Sequence, residues 1–149
     1  MSSNFANKLH MHLNELNGLY GGTCSEKEIS QEEEKLNLLF SLKYKEFLLK
    51  YGGGIVANLY IYGLKKISLM SDNLWSVVQN TKFYKETQKW PGIDDWYIIS
   101  DDGRGNPIGC KPDGSVWLSD HDAGFEQVKL ADDFEQFLEK LLNDTLYDS

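Results

Sequence analysis

Apolar residues fall at helical spacing near the N-terminus: Phe5, Leu9, Leu13, Leu16 and Tyr20 recur three or four positions apart. Ser2, Ser3 and Asn4 are available as caps, and Gly18, Gly21 and Gly22 end the pattern, so a helix is predicted over about 3–18. Ser25-Glu-Lys-Glu28 and Ser30-Gln-Glu-Glu33 each place an acid three residues after a hydroxyl. Such pairs satisfy the free amides of a first helical turn. They predict a short helix from Glu26 or Gln31 to Leu38. Ser41 caps the next helix, whose stripe is Leu42, Tyr44, Phe47, Leu48 and Tyr51 and whose stop is Gly52-Gly53-Gly54.

The period then shortens. Ile55 to Tyr62 is rich in β-branched and aromatic residues and reads as one strand. Ser71 opens a helical stretch with Leu74, Trp75 and Val78 on one side. Beyond Pro91-Gly92, Trp96–Ile99, Asn106–Cys110, Val116–Leu118 and Phe125–Lys129 read as short strands separated by Gly, Asp and Pro, which is a meander. Asp132-Asp-Phe-Glu135 is a third capping-box candidate. It opens a last helix with Phe134, Phe137, Leu138, Leu141 and Leu142 inward. Helices, strand, helix, several strands, helix is an α+β order with an antiparallel sheet, in one domain spanning 1–149 with a core at about 25–142.

Charge changes the picture more than length does. Of the net −8 over 149 residues, Met1–Ile93 carry 11 basic and 9 acidic residues, and Asp94–Ser149 carry 4 and 14. An acidic chain is a poor ligand for phosphates, so direct nucleic-acid binding is not expected. Such a field would steer a basic partner. Cys24 and Cys110 form no CxxC pair and read as free thiols of a reducing compartment. No apolar leader and no membrane-length apolar run is visible, which points to the cytoplasm and away from membranes.

Candidate chemistry is sparse. Ser100-Asp-Asp-Gly-Arg-Gly-Asn-Pro-Ile-Gly-Cys110 lacks the alternate oxygen ligands and closing Glu of a calcium loop. Its glycines suit a hairpin turn instead. Pro112-Asp113-Gly114 is a turn by the same chemistry. Gly52–Gly54 follow a helix and open a strand, the reverse of a phosphate loop. His10 and His12 stand two apart on a helix and share no face, so zinc is not expected. His121 is flanked by Asp120 and Asp122, a candidate for an oriented base, but no activated nucleophile accompanies it. No cofactor motif, metal set or catalytic constellation emerges, and Asp94-Asp95 and Asp101-Asp102 are ordinary in an acidic chain.

The run from Ile29 to Gly54 resembles the N-terminal signature of the SUKH superfamily: Glu33, Leu36, Tyr44, Phe47, Leu48 and Gly52, Gly53, Gly54 fall on it. Tyr97–Asn106 resembles its strand and Gly-x-Gly-Asn-type turn. Asp120-His121 and Leu130–Leu138, with Phe134, Phe137 and Leu138, resemble its closing loop and helix. Phe40-Ser41 stands where the family has Leu-Pro, and Ser can cap what Pro would start.

That superfamily joins yeast regulators of cell-wall glucan synthesis to bacterial immunity proteins of polymorphic toxin systems. The resemblance therefore implies a non-enzymatic cytoplasmic protein, a monomer or weak dimer, that blocks a cognate toxin, often a basic nuclease. A regulator or scaffold linked to cell-wall synthesis is the alternative, and a hydrolase a more distant one. The expected contact residues are Asp101, Asp102, Arg104, Asp120, His121 and Asp122, with Trp117 as an exposed aromatic anchor.

Overall fold

The computed structural model describes residues 2–15 and 19–148; Leu16 and Gly18, expected to close the first helix, lie outside them. Helix α1 (Ser3–Glu15) buries Phe5, Leu9 and Leu13, as its period demands. Tyr20 is not helical: it forms a lone antiparallel bridge to Gly54.

Helix α2 (Glu26–Leu36) starts at a complete Ser25/Glu28 capping box and ends at Asn37 in the left-handed region, φ 53°. The second expected box does not form. Ser30 is inside the helix, and Glu33 turns inward to accept from Phe40 N at 2.7 Å and to meet Lys45 at 3.3 Å. A buried carboxylate needs such partners.

Helix α3 (Leu42–Tyr51) is capped by Ser41 and stopped by Gly52 at φ 70°. Tyr44, Phe47, Leu48 and Tyr51 are buried, but Leu42, expected on the same stripe, is 77% exposed. It occupies the first turn two positions before Tyr44, so it points off that face.

The triple glycine is also a crossing point of backbones. Gly52 O accepts from Leu64 N and Lys65 N at 2.7 and 2.9 Å, and Tyr51 O accepts from Gly21 N and Gly22 N. The run from Ile55 to Tyr62 is two strands and not one. β1 (Gly54–Val56) and β2 (Leu59–Ile61) pair around Ala57-Asn58, both at positive φ. His12 Nε2 accepts from Ala57 N and holds that turn, while His10 faces Asn14 and Tyr51.

Helix α4 (Val77–Lys82) begins at Ser76, not Ser71, because Ser76 and Gln79 form the capping box. A turn of π-helix, Phe83–Thr87, continues it.

A four-stranded antiparallel sheet follows in the order β3 (Tyr97–Asp101), β4 (Pro107–Cys110), β5 (Val116–Asp120), β6 (Glu126–Ala131). Tyr62 N to Ile99 O, 2.8 Å, and Ser100 Oγ to Tyr60 O, 2.6 Å, lash the hairpin to β3.

Helix α5 (Phe134–Leu142) is capped one residue later than expected, by Asp133 with Gln136, so Asp132–Glu135 is not the box. Phe134, Phe137, Leu138 and Leu141 go inward and Leu142 is half-buried.

The core is one aromatic-rich cluster: Phe134 packs edge-on against Tyr44 and Phe47, and Phe40, Tyr44 and Tyr97 pack on one another. The fold is α+β, with antiparallel sheets packed against helices from both ends of the chain.

Candidate functional site

In a four-stranded meander the first and third turns share one end of the sheet. The β3–β4 turn, Asp102–Asn106, and the β5–β6 turn, His121–Phe125, therefore meet. Glycines make the first turn possible: Gly103 and Gly105 sit at φ 82° and 87°. Gly124, φ 67°, serves the second.

Asn106 joins the two. It is 2% exposed. Its Nδ2 donates to Asp102 Oδ2 at 2.8 Å and reaches Asp120 Oδ1 at 3.4 Å. Its Oδ1 accepts from His121 N at 3.0 Å and from His121 Nδ1.

The carboxylates are engaged by neutral donors. Asp101 accepts from the Tyr62 hydroxyl and from Gly103 N at 2.7 Å. Asp102 Oδ1 accepts from Arg104 N and Asn106 N. Asp120 Oδ1 accepts from Asp122 N. Asp101, Asp102 and Asp120 are thus half-buried turn-holders and not freely exposed groups, and among the described residues no Lys or Arg pairs with any of them. Asp122 is exposed and lies 3.3 Å from His121 Nε2. Burial, then the charge on Asp101, pushes the Tyr62 hydroxyl pKa far up. Tyr84, which donates to Gly105 O, is raised to about 12 by burial, with Asp101 and Asp102 adding to the rise. At this end of the sheet the carboxylates are held by neutral donors, and Arg104 in the first turn makes no ion pair with them among the described residues.

Trp117 is elsewhere. It is half-buried, donates from Nε1 to Ser115 Oγ at 2.7 Å, and carries Lys111 Nζ 3.8 Å above its ring. Those partners belong to the β4–β5 turn at the opposite end, so Trp117 is not the exposed anchor expected beside the acidic loops. Besides Tyr62 and Tyr84, which bond into the first turn, Trp90 and Phe125 lie there. Trp90 donates to Ser119 Oγ at 2.8 Å and meets Tyr84, His121 and Phe125 edge-to-face.

Asp120, His121 and Asp122 offer ligand atoms within 4.8 Å of one another. Two of those groups already serve the turn through Asn106 and Asp122 N. His121 Nδ1 is oriented by an amide, not by a carboxylate, and the neighbouring Ser119 hydroxyl accepts from Trp90. A relay from acid to imidazole to hydroxyl is not assembled among these residues.

The family model of the SMI1 / KNR4 family (SUKH-1) matches residues 23–140. The chain belongs to that family. It is a family of immunity and regulatory proteins. The fold is similar to a crystal structure of a protein from Pseudomonas syringae pv. tomato, with TM-score 0.70 and 16% identity over 93% of this chain and 96% of that one. No curated protein matches the chain. Both turns joined by Asn106 fall inside the matched span. No described helix is long and apolar enough to cross a membrane.

Proposed function

We propose that this SUKH protein is a cytoplasmic immunity protein that binds and neutralises a cognate polymorphic toxin domain, a basic nuclease, by contact and without catalysis. The observation that carries the reading is the acidic sheet end tied together by Asn106. Its carboxylates are oriented by neutral donors and pair with no Lys or Arg among the described residues. A nuclease grips phosphates with cations, and a fixed anionic surface competes for them and speeds encounter. Asp102, Asp120, Asp122 and His121 form the contact, with Arg104 at its edge and Trp90 and Phe125, in place of Trp117, as its aromatic anchors.

The test is calorimetry and stopped-flow association with the toxic domain encoded beside this gene, at low and physiological salt. Binding that abolishes toxin activity and whose on-rate falls steeply with salt is expected. Reversal at Asp101, Asp102 or Asp120 would break the turns, so the decisive variant is Asp122→Lys with Glu126→Lys, both exposed positions. It should slow association about tenfold or more. Unchanged affinity and salt dependence in that variant would remove this face. Failure to bind the neighbour's toxic domain would remove the immunity reading.

A further inference from the structure

Beside the acidic turns lies a groove of about 400 Å³ with the opposite character. Its walls include Lys89, Trp90, Pro91, Arg104, His121 and Phe125, and none of its lining residues is acidic. In a chain of net charge −8 this is the anomalous patch. Arg104 is the chain's single arginine, and it opens into this groove. Neither it nor Lys89 makes an ion pair among the described residues.

The walls are also held under strain. Lys89 and Phe125 sit at φ 51° and 65°. A bulky side chain in the left-handed region costs free energy, and such residues cluster at ligand clamps. Trp90 between them is fixed by its bond to Ser119 and by three rings.

We infer that this groove binds a small organic anion: a phosphate or carboxylate head on Arg104 and Lys89, with an apolar body against Trp90 and Phe125. A guanidinium fork matches either head bidentately. The volume is that of a small-molecule site. Asp122, against His121 at 3.3 Å, opposes a bare inorganic anion, so the apolar contact has to supply part of the affinity. The groove shares Trp90, Phe125, His121 and Arg104 with the proposed toxin contact, but its test reads a small anion on the protein alone, so it can fail or succeed separately from that reading.

The experiment is a titration of the 15N-labelled protein with phenyl phosphate, hippurate, inorganic phosphate and benzyl alcohol. One of the two amphiphilic anions should give saturable shifts confined to 88–91, 104–105 and 121–125, including the Trp90 indole. Which one does so identifies the head group. Inorganic phosphate and benzyl alcohol should each bind at least about tenfold more weakly. Arg104→Gln is exposed and foldable, and should weaken the binding about tenfold; Lys89→Asn keeps a residue tolerant of positive φ and should also weaken it. No saturation by about 10 mM of either anion, or affinity within about twofold in Arg104→Gln, would overturn the site. Inorganic phosphate binding as tightly as phenyl phosphate would overturn its apolar half.

Discussion

Asn106→Ala is the sharpest probe of the joined turns. Three bonds of ordinary length centre on the lost amide: 2.8 Å to Asp102, 3.0 Å from His121 N and a weaker 3.4 Å to Asp120. A charge-assisted bond contributes about 1.5–3 kcal/mol and a neutral one about 1. The carboxylates are half-buried and recover some water, which lowers the sum, so a loss of about 3 kcal/mol is expected. Asn106→Asp is nearly isosteric and separates shape from charge. It replaces a donor 2.8 Å from Asp102 by a like charge, so at pH 7 it should destabilise at least as much as alanine. In the folded state the new acid titrates above its unfolded value near 3.9, because its neutral form can donate to Asp102. The folded state then binds more protons than the unfolded one. The variant therefore regains stability, relative to wild type, as pH falls from 7 toward 4. Urea unfolding at constant ionic strength, followed by tryptophan fluorescence, measures both effects. Losses under about 0.5 kcal/mol for both variants would refute the idea that Asn106 couples the loops. So would an Asp variant with no pH-dependent recovery.

Three other outcomes follow from local geometry. Gly63→Ala would drive its Cβ into Gly52 O and to within 2.9 Å of Leu48 Cδ2, and should cost about 2 kcal/mol or more in urea unfolding; a neutral result would discredit the glycine crossing. Ser25→Ala removes the cap of α2 and should cost about 1 kcal/mol, with faster amide exchange at residues 26–28 and no change at α5. Cys24 and Cys110 are buried, which raises their thiols to about 11 and about 12. The native protein should resist a thiol reagent at pH 8 and release two equivalents once unfolded. Because the folded values lie above the unfolded ones, the thiols' contribution to stability is complete below pH 9 and is lost as pH rises toward about 11. Rapid native labelling of both would refute their burial.

Signals local in sequence were legible, and those made by distant partners were not. Ser25 with Glu28, Ser41 with Gly52, and the glycines of the β3–β4 turn act within a few residues, and each has the role its chemistry suggests. The turn at Ala57-Asn58 carries no Gly or Pro. It is held by His12, 45 residues away, so a β-rich run reads straight through it. Trp90 sits in a segment with no period, between Lys89 and Pro91. Its bond to Ser119, 29 residues on, and its ring contacts with His121 and Phe125 make it part of the sheet end.

The Trp117 misplacement is different in kind, because the information was already in the strand order. Four consecutive antiparallel strands put alternate turns at alternate ends. That rule brings Asp102–Asn106 to His121–Phe125 and sends Lys111–Ser115, with Trp117 attached, to the far end. An aromatic residue one strand-length from a loop in sequence can be a full sheet-height from it in space. Parity of turns is thus the stronger criterion for which loops can act together. It is what makes Asn106, an unremarkable turn residue by composition, the joint on which the acidic surface depends.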